Sequence, residues 1–171
     1  MDTKNNAPQP LAVTSPAFEE GGIIPVAHTG HGADTSPELR LTGLHPAVQS
    51  VAVIMDDLDH PIPAYNHWVV WNLPPDTRIS AAFPADTFPE IKGSPTQGVG
   101  YGRHRYAGPK PPFNWRHRYR FTVYGLNTRL VLPETTRKRG LLAAMQGHIL
   151  QQSSLTGWYK KRPGRNGRAG G

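Results

Sequence analysis

QSVAVIMDD, residues 49–57, is the stretch on which the fold turns. Val51, Val53 and Met55 alternate with Ala52 and Ile54, so an extended chain is apolar on both faces here. A strand of that kind sits inside a sheet that is covered on both sides. HWVVWNL, residues 67–73, reads as a second buried strand, rich in the aromatic and β-branched residues that suit a pleated surface, with His67, Val69 and Trp71 sharing a face. RYRFTVYGL, residues 118–126, sets Tyr119, Phe121 and Val123 against Arg118, Arg120 and Thr122, the pattern of a half-buried antiparallel strand; His117 continues the apolar parity.

Outward from these three, the signals weaken. LAVTSPAF and IIPVAH, from Leu11 to His28, are expected as short strands separated by the EEGG turn. TGHGADTSPELRLTGLHP, residues 29–46, reads mostly as loop, and HPIPAYN, residues 60–66, is a connection because Pro61 and Pro63 forbid regular pairing. No element is assigned over 74–107, where turn residues dominate. One helix is expected, over 134–150, on the stripe Leu141, Leu142, Met145 and Ile149, with Thr135 or Thr136 as its cap. QSSLTGWYK would then be a last short strand. Strands dominate, one helix lies late and no βαβ alternation occurs, which predicts a mainly β, antiparallel sandwich with one or two peripheral helices, including a C-terminal helix.

The 171 residues suit one domain. We expect a domain over 11–160, a disordered arm over 1–10 and a disordered Gly/Arg tail over 161–171. The formal charge of +7 concentrates at the C-terminal end: Lys160 and, in the tail, Lys161, Arg162, Arg165 and Arg168 carry five of the charges, which argues for a solvated segment before nucleic-acid binding. With no cysteine, there is no disulfide framework, thiolate metal site or Cys nucleophile. MDTKNNAPQP lacks the apolar stretch of a secretory signal, and no later window suggests a membrane span, so the expected location is the cytoplasm.

Candidate chemistry gathers at strand ends: Asp56, Asp57 and Asp59; His67; and GPKPPFNWRHRY, residues 108–119, which holds His117 and Tyr119. Proline-rich loops lose little entropy on ordering and can form the wall of a shaped cavity. Two imidazoles and a phenol supply donors, and a carboxylate can fix a neighbouring tautomer, so an anion such as phosphate fits. Asp57 and Asp59 continue the parity of Val51 and Val53 and are read either as an acid–base pair or as caps of the turn before Pro61. His67, His117, Asp57 and Asp59 are competent metal ligands, but no helical H-x-x-x-H or H-E-x-x-H spacing supports a metal. Nor is there a G-x-S-x-G elbow for nucleophilic catalysis.

Taken in order, SPELRL at 36–41, DLDHP at 57–61, HWVVWNLP at 67–74, YAGPKPP at 106–112 and HRYRFTVYGL at 117–126 resemble the motifs of the phosphatidylethanolamine-binding protein family, in its bacterial, Raf kinase inhibitor-like branch. The resemblance spans roughly residues 11–162. It implies a β-sandwich with a small cavity for phosphate or a phospholipid headgroup, no catalysis and no cofactor. It also implies a regulated protein partner such as a kinase or protease, and a homodimer. Carried over by motif, Asp57, His67, His117 and Tyr119 line the cavity, Asp59 and Pro61 shape its wall, and Gly108 and Pro109 form the adjoining loop. Leu41 and Leu58 depart from the family's Trp and Pro, and Asn114 stands where glycine is usual, in a turn that asks for a left-handed residue. Rival readings are a hydrolase built on the same Asp and His residues, and RNA contact through the basic tail.

Overall fold

The computed structural model describes residues 9–86, 91 and 93–163. The bulk of the expected N-terminal arm and of the basic tail lies outside them. Among the described residues, eight strands form two antiparallel sheets. The smaller has the order β1(Ala12–Thr14), β2(Leu39–Thr42), β5(Arg78–Ile79). The larger has the order β6(Thr96–Gln97), β4(Tyr65–Leu73), β3(Ser50–Asp57), β7(His117–Leu126), β8(Ile149–Tyr159).

Strand β3 is the middle of five, and every one of its residues is buried. Two apolar clusters explain why. Val51, Val53 and Met55 join Trp68, Val70, Phe121 and Val123 against Leu39, Leu41 and Ile79 of the smaller sheet. Ala52 and Ile54 face the other way, with Val69, Trp71 and Leu126, and are covered by Leu141 and Met145 of helix α1(Lys138–Met145). The architecture is the antiparallel sandwich with a peripheral helix that the pattern predicted.

Several local expectations change. IIPVAH makes no strand: Pro25 lacks the N–H a ladder needs, and Val26–His28 wind into a 3-10 turn, leaving one isolated bridge from Ile23 to Trp158. The stretch read as loop over 29–46 contains β2, whose Leu39 and Leu41 point inward while Arg40 and Thr42 point out. Helix α1 is shorter than its apolar stripe. Gly147 at φ 80° turns the chain after Met145, and Ile149 and Leu150 open β8. Leu142 is partly exposed, and Arg137 precedes the helix without a side-chain cap, so neither threonine caps it. In the loop after Pro112 the left-handed residue is Phe113 at φ 54°, not Asn114. Among the described residues, no helix is long and apolar enough to cross a membrane.

Candidate functional site

Regular pairing would carry Asp57 and Tyr119 to one end of the large sheet, where they sit opposite each other on β3 and β7. Both are buried, Asp57 at 2% and Tyr119 at 0% exposure. His117, two residues before Tyr119 and on the same face, brings Nδ1 to 2.7 Å from Asp57 Oδ2. The carboxylate accepts there, so His117 donates from Nδ1. The other oxygen, Asp57 Oδ1, accepts from the Asp59 N–H at 2.9 Å.

His67 reaches this group by an irregularity. Met55 pairs with Trp68, but Asp56 pairs with Asn66, leaving His67 as an extra residue in β4. A bulge of this kind re-aims a side chain. Simple alternation would put His67 with Val69 and Trp71 under the helix. Instead its ring stands edge-on to Tyr119, with centroids 5.4 Å apart, and its Nε2 lies 4.0 Å from Asp57 Oδ2. Asn66 holds the bulge, its amide nitrogen donating to Met55 O at 3.1 Å and to Trp68 O at 3.2 Å. Asn66→Ala is therefore expected to cost about 2 kcal/mol in urea unfolding and to move the His67 ring resonances, because the two lost bonds are worth about 1 kcal/mol each. Unmoved resonances would mean that the bulge holds without Asn66.

His67 donates from Nδ1 to the Ala107 carbonyl at 2.7 Å. Burial lowers its pKa, against the opposing effects of the Ala107 bond and the Asp57 charge, so the ring is neutral at pH 7 with Nε2 as an acceptor. Tyr119 is the counterpart. Burial first, then Asp57, pushes its pKa far above that of a free phenol. Among the described residues its buried hydroxyl meets no partner at full hydrogen-bonding geometry, although Asp57 is close enough to act on it.

The remaining predicted residues divide. Ala107 ties the 107–109 segment to His67, but the Gly108 N–H is already taken by Asp34 Oδ1 at 2.7 Å. Pro109 offers only its carbonyl, which accepts from Gly30 N–H at 2.9 Å. These two positions build wall and supply no donor. Asp59 does not stand beside Asp57 as an acid–base partner. β3 ends at Asp57, and the exposed Asp59 carboxylate takes three bonds from Arg118, which lower its pKa. Pro61 is exposed in the following loop.

Sequence reasoning missed the rings at the rim. Tyr101, at φ 52°, lays its ring 4.8 Å from that of His67, and Tyr65 meets Tyr101 edge-on at 5.5 Å. His60 stacks on Tyr65 at 4.2 Å. Tyr101 lies in GVGYG, a turn-rich segment with no periodicity to mark it. Its approach depends on Gly100, where a Cβ would fall 2.8 Å from both Asn66 Oδ1 and Trp68 N. No cluster of three or more metal-ligand side chains occurs among the described residues.

Comparison with known proteins matches residues 14–160 to the model of the phosphatidylethanolamine-binding protein family. A UPF0098 protein from Pyrococcus horikoshii is 36% identical over 150 residues, covering 86% of this chain and 76% of its own length. Another, from Aquifex aeolicus, is 37% identical over 155 residues, covering 88% and 89%. A Chlamydia trachomatis homolog of phosphatidylethanolamine-binding protein superposes with a TM-score of 0.78 at 31% identity, covering 90% of this chain and 99% of that one. YbcL of Escherichia coli, at 24% identity and a TM-score of 0.76 over 90% of this chain and all of its own, shares the fold.

Proposed function

The chain belongs to the phosphatidylethanolamine-binding protein family, and from that premise we propose that it is a non-catalytic receptor for a small phosphate-like anion, free or as a lipid headgroup, at the Asp57, His67, His117, Tyr119 cluster. The observation that carries this reading is the Tyr119 hydroxyl, a buried donor with no partner at full hydrogen-bonding geometry among the described residues, close to Asp57 and beside two imidazoles. A buried unpaired donor costs stability, and an anionic oxygen would satisfy it.

The proton inventory adds a condition. With its Nδ1 donating to Ala107 and its pKa lowered by burial, His67 presents Nε2 as an acceptor at neutral pH, and Asp57 repels an anion. Anion binding therefore brings a proton with it. The bound anion stabilises imidazolium and raises a histidine pKa that burial had lowered, so affinity rises as pH falls. The same sign governs folding. The unfolded chain protonates its His67 near 6.5, before the folded chain does, so this group's contribution is complete above about pH 6.5 and shrinks as pH falls towards the lowered folded value.

Sulfate tests this without titrating itself. Calorimetry at pH 7 in buffers of different ionisation heat is expected to show uptake of about one proton per sulfate, with binding tightening towards pH 5. No heat, with His67 and His117 resonances unchanged in tens of millimolar sulfate, overturns the reading. Tyr119 is a poor nucleophile here, because its raised pKa keeps the phenol protonated.

A further inference from the structure

On β7, residues 119, 121 and 123 face the inter-sheet core, and Arg120, Thr122 and Tyr124 face the opposite side of the sheet. There they line a cleft of about 580 Å³ with Asp56, Lys138, Gln152 and Ser154, between the outer faces of β7 and β8 and the start of α1. We propose that this cleft is a second binding site, distinct from the His67–His117 cluster, for a small polyhydroxylated anion seated on Arg120.

The charges do not balance without a guest. Asp56 is buried at 4% exposure and already satisfied, with Lys138 Nζ at 2.7 Å and Asn66 Nδ2 at 3.1 Å. Arg120 lies opposite Asp56 in register yet makes no side-chain hydrogen bond or ion pair among the described residues, and its Nε is shut off from solvent. Two cations thus face one carboxylate, and the surplus one is a planar fork suited to a carboxylate or phosphate. A guanidinium on a merely solvated face would keep its Nε wet; here that donor is buried with no partner among the described residues.

Hydroxyl groups supply the rest of the recognition. Thr122 and Ser154 are cross-strand partners, as are Tyr124 and Gln152, so alcohol, phenol and amide groups line the two strands beside Arg120. Burial, with Asp56, raises the Tyr124 pKa, while Arg120 opposes it, and the phenol remains a donor. Apolar surface in the cleft is small, and Leu142 is its one large aliphatic lining residue. That lining suits a guest rich in hydroxyls rather than an acyl chain.

D-gluconate is the probe, with glucose and acetate as controls for hydroxyls without charge and charge without hydroxyls. In amide NMR titrations of the full chain, gluconate is expected to shift Thr122, Ser153 and Ser154, and Arg120→Gln to weaken that binding at least tenfold. Ser154→Ala weakens it less, and His67→Gln leaves it unchanged while abolishing the sulfate response of the other site. The proposal is overturned if these amides stay still in gluconate, if glucose or acetate shifts them equally, or if Arg120→Gln binds as the parent does. Because Arg120 is unpaired among the described residues, Arg120→Gln is expected to unfold at the same temperature as the parent or higher. A marked loss of stability would show that the guanidinium has a structural partner and also overturn it.

Discussion

Asp57→Asn is expected to tighten sulfate binding at pH 7 roughly thirtyfold and to flatten its pH dependence. The carboxylate lies at the centre of the cluster, bonded to His117 and 4.0 Å from His67. Two unit charges about 5 Å apart in a partly buried site repel by about 3 kcal/mol, and retaining about 2 kcal/mol of that after screening gives the stated factor. Asparagine also rearranges protons. Its carbonyl keeps the bond from the Asp59 N–H, but its amide nitrogen then faces the donating Nδ1 of His117. His117 relieves that clash by moving its proton to Nε2, which converts an acceptor into a donor for the guest without uptake from solvent. Nitrogen-detected NMR of the imidazole reads the tautomer, and calorimetry reads the affinity. The substitution is expected to cost about 1–2 kcal/mol of stability, the worth of a charged hydrogen bond exchanged for a neutral one. Weaker sulfate binding in Asp57→Asn would mean that the carboxylate acts on the site through its bond to His117 rather than by repelling the guest, and the repulsion argument would fall.

Strands β3 and β4 were legible because burial on both faces leaves a near-continuous apolar run. Strand β3 lies under both apolar clusters, and its sequence is apolar at consecutive positions. β2 was read as loop: Leu39 and Leu41 do alternate with Arg40 and Thr42, but four residues set among Gly, Pro and Asp are too few for the period to stand out. β5 and β6 have two residues each, too few for any period to show. The helix was overextended because an apolar stripe does not say where it ends. Gly147 supplies the stop, and the apolar residues after it belong to a strand.

At the candidate site, alternation alone brings Asp57, His117 and Tyr119 to one face, because β3 and β7 pair without interruption between Ser50 and Asp57. It fails for His67, where one extra residue in β4 reverses the face; the motif resemblance had placed His67 with the others. Asp59 fails for the opposite reason. Its parity is right, but the strand has ended and Arg118 claims the carboxylate. Tyr101 and Ala107 come from irregular chain, where position is decided by contacts distant in sequence and no pattern records it.

The largest loss of stability is expected from Gly108→Ala, at roughly 3 kcal/mol, the upper range for overpacking a tight contact. The GPKPP loop is sewn to residues 28–34 by three bonds: Tyr106 Oη to His28 O at 2.7 Å, Gly108 N to Asp34 Oδ1 at 2.7 Å, and Gly30 N to Pro109 O at 2.9 Å. A Cβ at position 108 would fall 2.4 Å from His28 O and 2.7 Å from Asp34 Oδ1, and the first is backbone that is already bonded. The two segments must part, and Ala107 moves with Gly108. Its carbonyl then leaves His67 Nδ1, so the ring loses both its orientation and the bond that fixes its tautomer. Sulfate affinity is expected to fall about tenfold with the loss of one such fixed contact. Gly102→Ala is the contrast, since nothing lies within 4 Å of its Cβ and only the strain of φ 69° remains, about 1 kcal/mol. Urea unfolding of the two variants separates the effects. If Gly108→Ala costs no more than Gly102→Ala, the close approach is not tight, and the wall behind His67 yields where the argument requires it to be stiff.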